Sequence, residues 1–366
     1  MRDKADIIVI GAGVFGLWVA LEGIRAGLSV VVLERDRPGA GASGGVVGAL
    51  TPHMPGRWRP MKQFQLDSLM CLPEATEQLT RETGLPTGYM MSGRLSPLAD
   101  ASSRTRAETY AIAAQAEWEG RARFEILERP PKEVDGFLPA TSCPHGVVRD
   151  GLSGRIVPRL YIDALVAAVE AGGEIRTGWE VRAIDGESGL VTSAQGQLTA
   201  DTVVVAAGWQ SPGLAGVANG GGVKGQAAIL AADMPESSPV IQMPRLYLVR
   251  HPGGRVAIGS TSETDWDGMA TDTQLDDVIG RARSVCPALL SAEVIERWAG
   301  VRPRPAGRDP TVGWVPGQPR LYLASGGYKI GLGIAHLVGR GAIAQITDQR
   351  ARYPIPADFA PVPEPA

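Results

Sequence analysis

Residues 5–16, Ala-Asp-Ile-Ile-Val-Ile-Gly-Ala-Gly-Val-Phe-Gly, confine the fold more tightly than any other stretch. An apolar run of strand length meets a G-x-G-x-x-G and passes at once into a helical pattern, with Leu17, Ala20, Leu21 and Ile24 on one face. Gly11 permits a tight turn, Gly13 lets a pyrophosphate approach the backbone, and Gly16 lets helix pack on strand. Gly27 stands where a helix-ending glycine belongs. A second apolar strand, 28–33, ends on Glu34, 18 residues beyond Gly16. A carboxylate there accepts from adenosine ribose hydroxyls and disfavours a 2′-phosphate. The competing reading is a glycine turn in an unrelated α/β protein, with Glu34 a solvated strand end. Strand, helix and Glu34 together disfavour it. The stretch predicts an α/β fold with a Rossmann-type domain, and taken alone it admits NAD or FAD.

A chain of 366 residues suits two connected domains. A net charge of −3 gives no general attraction to nucleic acid or to anionic membrane. Cys71, Cys143 and Cys286 are far apart, and no histidines sit at metal-ligand spacing, so neither a disulfide framework nor a metal site is expected. The first strand begins within a few residues of the start, and no apolar run approaches the ~20 residues of a membrane helix. The expectation is a cytoplasmic protein with no nucleic-acid partner and no integral membrane contact; homo-oligomerisation is compatible with it.

Further along, residues 35–50 are too glycine-rich for regular structure and suit backbone lying flat against a ligand. Ser43 there caps a short helix or binds a phosphate. Residues 61–83 read as a helix broken at Pro73, 88–98 as a strand or hairpin, and 102–120 as a polar helix. A strand over 151–158 and a helix over 161–171 follow. Short strands over 174–178, 181–185 and 189–193 then precede an apolar strand, 201–206, that stops at Gly208. This is the pattern of a meander re-entering a parallel sheet. Residues 219–222 read as a crossing between domains. Strands over 226–231, 246–250 and 255–260, with a helix over 272–285, supply a second sheet.

Two late blocks carry chemistry. Residues 298–303 set Arg302 in an apolar, proline-stiffened context, which calls for either an internal carboxylate or an anionic ligand. After a strand over 321–325, residues 326–333 form a second glycine-rich turn opening a helix to about Ile346. Such a start can face an anion that develops during reaction. The five prolines in 354–366 predict a loosely attached tail.

In their order along the chain these blocks resemble the FAD-dependent D-amino acid oxidase superfamily, and within it the glycine oxidase-like branch. The resemblance rests on 7–16 with Glu34, 42–44, 200–208, 259–261, 299–303 and 326–331. It implies a Rossmann-type FAD-binding domain and a second α+β substrate domain whose antiparallel sheet roofs the flavin. The implied division is 1–87, 145–219 and 296–348 for FAD, 88–144 and 220–295 for substrate, and 349–366 as a proline-rich tail. Non-covalent FAD would be held by Gly11, Gly13, Val14, Phe15, Gly16, Glu34 and Arg35 at its ADP half. Ser43 would lie near the pyrophosphate, with Gly48 and Ala49 in the same loop. Val181 would hold adenine through its backbone, and Gly208, Tyr328, Gly331 and Leu332 would complete the cofactor contacts. Arg302 would bind a substrate carboxylate, with Tyr247 the matching tyrosine. Lys329 replaces an arginine usual in glycine oxidase, and His251 stands where the branch more often has proline; both hint at another substrate. His53 faces the pocket or serves as a structural hydrogen-bonder. The absence of cysteine after Cys286 speaks against covalent flavin attachment.

The implied activity is oxidation of the C–N bond of a small amino acid or related amine carboxylate by hydride transfer to flavin N5. The imine would hydrolyse to an oxo acid, and oxygen or another acceptor would reoxidise the flavin. The alternatives are demethylation of an N-methyl amino acid, trimming of a modified tRNA uridine (disfavoured by the acidic balance) and a non-catalytic flavin-binding protein.

Overall fold

The computed structural model describes residues 4–218, 220–307 and 309–363. The opening stretch folds as its pattern requires: strand β1 is Lys4–Ile10, helix α1 is Val14–Arg25 and strand β2 is Val30–Glu34. In β1 side chains alternate between two buried faces. Ile7 and Val9 pack with the helices, whereas Ile8 and Ile10 pack with the other side of the sheet. That double burial is why the strand reads as a continuous apolar run.

Strand β1 lies at the centre of the first sheet, parallel to β2 on one side and to Gly196–Val205 on the other. The sheet continues to Leu321–Ser325 and an antiparallel Thr311–Trp314 at one edge, and to Glu174–Thr177 at the other. Helix α1, the helix Pro158–Glu170 and the helix Gly331–Ile346 cover one face, together with helix α2, Pro60–Thr83. The antiparallel pair Val181–Asp185 and Leu190–Ser193 lies towards the other.

The second sheet has the order 294–303, 222–231, 255–259, 246–251, 240–243, 94–97, 147–150, 124–127. Only the pair 240–243 with 94–97 is parallel among its described ladders. Helix Thr273–Val285 buries Leu275, Val278, Ile279 and Ala282 in the core with this sheet. The strands Val147–Asp150 and Val294–Pro303 belong here, although the expected division put 145–150 and 296–303 with the cofactor domain. We therefore propose that the substrate domain takes in both strands. Of the expected crossing, Asn219 lies outside the described residues, and Gly222 already begins a strand.

Three local expectations are corrected. Helix α2 runs through Pro73 without a break. Phe64, Leu66, Leu69 and Leu72 are buried before the proline and Ala75 and Leu79 after it, so packing on both sides outweighs one lost backbone hydrogen bond. Within 88–98 and 151–158 the only strand segments are Arg94–Pro97 and Gly154–Arg155.

The proline-rich tail is docked. Phe359 is 1% exposed and meets Phe64 edge-on at 5.4 Å between ring centroids, and the Ala218 amide donates to the Val362 carbonyl. One buried aromatic anchors a segment whose composition reads as loose. Phe359→Leu is expected to cost about 1–2 kcal/mol, as a few buried carbons are lost. Urea unfolding would measure this, and an unchanged midpoint would show the tail contributes nothing.

Candidate active site

A cavity of about 1640 Å³ runs from the carboxyl end of β2, over the start of α1, to the second sheet. That exceeds the roughly 300–1,000 Å³ of a pocket for one drug-sized ligand, so there is room for an extended cofactor and a substrate. At one end it is lined by Glu34, Arg35 and Val181, and along its floor by Gly11, Gly13, Val14 and Phe15. Gly16 is not in the lining. A Cβ there would stand 2.0 Å from the Gly11 carbonyl oxygen, so its hydrogen serves the close approach of helix and turn.

Both oxygens of Glu34 are engaged: one accepts from the Ala12 amide at 2.8 Å, the other from the Asp36 amide at 2.9 Å. The carboxylate thus pins the glycine turn to the end of β2. Ser43 Oγ accepts from the Val14 amide at 2.9 Å and so ties the loop to the first amide of α1. The loop continues past Gly48 and Ala49, and the Gly48 carbonyl accepts from Ile156 at 2.9 Å. Gly208, Tyr328, Gly331 and Leu332 line the opposite wall, where helix Gly331–Ile346 begins without a side-chain cap.

Arg302 enters from the second sheet. In strand Val294–Pro303 the period of two puts Trp298, Gly300 and Arg302 on one face, opposite Ala227, Gly225 and Val223 of the next strand. The guanidinium lies flat over Gly225, where a Cβ would come within 2.0 Å of Nη2. It donates to Ser260 Oγ at 2.9 Å and to the Thr261 carbonyl at 3.2 Å. Both acceptors are neutral. Burial pulls its pKa down from the ordinary arginine value, against the fields of Tyr328 and Glu263. Tyr247 lines the same cavity from strand Leu246–His251, and Lys329 is exposed at the wall with its ammonium 5.3 Å from the Tyr328 ring centroid.

His53 also lines the cavity. Gln65 Oε1 accepts both its backbone amide at 2.9 Å and its ring Nδ1 at 2.6 Å, while Gln65 Nε2 donates to the Thr51 carbonyl. An amide oxygen only accepts, so Nδ1 carries the proton and Nε2 is the acceptor. Solvent reaches the residue, yet the surrounding protein pushes its pKa below the usual value, with Lys62 and Arg59 adding to the effect and Gln65 opposing it. The geometry and the shift agree on a neutral ring at neutral pH.

His251, in contrast, is outside the cavity. It is 5% exposed and its Nε2 lies 3.3 Å from the Val47 carbonyl, so it buttresses the cofactor-side loop and does not meet a substrate. Three residues at the site had no role from the sequence: Gln65, Gly225 and Arg94. Arg94 is 3% exposed in the cavity wall, paired with Asp150 at 2.6 Å and with Gln242 at 2.7 Å. Their signals lie in partners more than ten residues away, which no local pattern shows.

The FAD dependent oxidoreductase family, DAO, matches residues 6–345. The chain belongs to this family. A glycine oxidase from Pseudomonas aeruginosa is 28% identical over 97% of this chain and 98% of its own. The bifunctional protein ThiO/ThiG of Synechocystis is 30% identical over 99% of this chain, and the chain spans 54% of its length. The crystal structure of glycine oxidase from Geobacillus kaustophilus superposes with a TM-score of 0.90, covering 100% of both chains at 21% identity.

This FAD-dependent oxidoreductase has a site that suits its cofactor. The floor is backbone and glycine, Glu34 supplies acceptors at one end, and two helix starts face the cavity, one with its first amide taken by Ser43 and one without a side-chain cap. Among the described residues no cluster fits a metal ion, and no helix is long and apolar enough to cross a membrane.

Proposed function

We propose that the enzyme oxidises the C–N bond of a small amine-bearing carboxylate to an imine that hydrolyses to an oxo acid. The observation that carries this is Arg302: a half-buried cation in the cavity wall with neutral hydrogen-bond partners and, among the described residues, no carboxylate within ion-pair distance. A buried guanidinium without a counter-ion is a receptor for an anion with a planar fork, which a carboxylate has. FAD, when bound, supplies the two-electron acceptor.

In this reading Arg302 fixes the carboxylate and orients the substrate carbon bearing the amine, which accounts for much of the rate advantage. His53 Nε2, held as an acceptor by Gln65, takes a proton from the substrate ammonium, since the neutral amine is the reactive form. Tyr247 lines the cavity from the same sheet, and Lys329 offers a second, exposed cation to the substrate or its product. Glu34, Ser43, Val181 and the amides of 331–332 hold the cofactor. The free thiols Cys71, Cys143 and Cys286 support a reducing, cytoplasmic setting.

The test is an anaerobic screen of the yellow holoenzyme against glycine, sarcosine, D- and L-amino acids and 2-hydroxy acids. Bleaching by one of the amine carboxylates is expected, and the products of the sarcosine arm separate the two reactions: glyoxylate with methylamine for amino acid oxidation, formaldehyde with glycine for demethylation. Bleaching by 2-hydroxy acids alone, or by none of the set, would sink the reading.

A further inference from the structure

The acceptors that aim Arg302 are themselves held from the far face of the sheet. Segment 260–263 leaves strand Arg255–Gly259 and runs beside Lys224–Gln226: Lys224 and Glu263 exchange both backbone hydrogen bonds, and the Thr261 amide donates to the Gln226 carbonyl. Alternation along Gly222–Ala231 puts Gly225 under the Arg302 guanidinium and turns Lys224 and Gln226 away from the cavity. There they meet a buried polar cluster. Gln226 is 0%, Lys224 2% and Glu263 7% exposed.

Thr261 joins the two faces. Its hydroxyl accepts from the Gln226 amide at 2.8 Å and donates to Glu263 Oε1, while its carbonyl accepts from Arg302 Nη1. Glu263 Oε1 also accepts from Gln226 Nε2 at 3.1 Å, and Gln226 Oε1 accepts from the Asp272 amide at 2.8 Å. Lys224 Nζ stands 3.1 Å from Asp272 and 3.7 Å from Glu263 Oε2, an oxygen with no hydrogen-bond partner of its own. Replacing a buried ionic cluster by apolar side chains is often neutral or stabilising, so stability alone is a poor reason for one cation and two carboxylates here. What the cluster does fix is the position of Thr261.

We propose that Thr261 and Glu263 are positioning residues that set the affinity of Arg302 for the substrate carboxylate by holding its two acceptors in place from the far side of the sheet. This rests on the reading of Arg302 as the carboxylate receptor. The bond that the Thr261 hydroxyl donates to Glu263 fixes the segment, the segment presents Ser260 Oγ and the Thr261 carbonyl, and the remaining N–H groups of the guanidinium face the cavity already ordered. Without the hydroxyl the carbonyl is free to turn, and binding must order the arginine each time.

The experiment uses the holoenzyme and the amine carboxylate that bleaches it most strongly. Stopped-flow anaerobic reduction then gives the substrate Kd and the limiting reduction rate separately. Thr261→Val is expected to raise Kd about tenfold, the scale of coupling between contacting residues, with the limiting rate within about twofold and the flavin spectrum unchanged. Thr261→Ser should restore Kd, because it keeps the hydroxyl. Glu263→Met removes the acceptor and should repeat the Thr261→Val effect, which keeps the test available if that variant is insoluble. Wild-type Kd in Thr261→Val or Glu263→Met, alongside a raised Kd in Arg302→Ala, would overturn the inference and leave the Arg302 reading intact. An unchanged Kd in Arg302→Ala would overturn both. A loss confined to the limiting rate, or loss of FAD, would show a general structural role and overturn the inference as well.

Discussion

Arg302→Ala is expected to keep its flavin and to lose kcat/KM for carboxylate substrates by a factor of roughly 30 to 4,000. The estimate follows from the cost of truncating one partner of a desolvated charge pair, about 2–5 kcal/mol, at 1.4 kcal/mol per decade. Flavin retention follows from geometry, since the guanidinium bonds Ser260 and Thr261 of the second sheet and not the β1–α1 turn. Arg302→Lys should recover little, because an ammonium lacks the planar fork and its reach over Gly225 differs. Steady-state kinetics with the visible spectrum as a control measure both halves of this result. Wild-type kcat/KM in the alanine variant would place the carboxylate receptor elsewhere.

The second large effect is on stability, and it depends on pH. His251 and His336 are both buried, and burial pushes their pKa down from 6.5 to about 4 and about 3. His251 keeps its contact with Val47 but faces the fields of Arg155, Arg250 and Arg159; His336 faces the field of Arg340, opposed by the Ser68 backbone, and lies 5.9 Å from the Trp18 ring. In the unfolded chain both rings take up a proton as pH falls through 6.5, while in the folded chain both stay neutral. The unfolded state therefore binds more protons, and stability falls as pH falls through that window. By pH 5 each ring costs about 2 kcal/mol relative to pH 8, and the His251 contribution levels off below about pH 4. Denaturant midpoints at pH 8, 6.5 and 5 would show the slope, and His336→Leu should remove its share. A flat profile would mean that other groups compensate, contrary to this account.

What the sequence made legible were features with local causes. The run 5–16 and Glu34 write a turn, a close approach and a strand end into adjacent residues, and the structure has each of them. The glycine-rich start of helix Gly331–Ile346 was readable for the same reason. For Arg302 the sequence left a choice between an internal carboxylate and an external anion; its acceptors in the structure are the neutral Ser260 and Thr261, which supports the second reading. Features with distant causes were not legible. Nothing in 298–303 says that its neighbour is 222–231, so Gly225 looked like one glycine among many. Phe359 among prolines gave no hint of Phe64, nearly three hundred residues earlier, and His251 looked available for substrate until its contact with Val47 placed it behind the loop.

The central position of β1 has a consequence for how the chain is made. Its neighbour Gly196–Val205 and the helix Gly331–Ile346, whose His336 meets Trp18 of α1, emerge long after it. At roughly 5–20 residues per second of synthesis, the first strand and helix wait roughly 15–65 s for the last of their cover. Until then Ile8 and Ile10 on one side and Leu17 and Trp18 on the other lack part of the cover that buries them. The cofactor fingerprint thus precedes most of the elements that enclose it. Lower growth temperature or extra chaperone capacity is therefore expected to raise soluble yield.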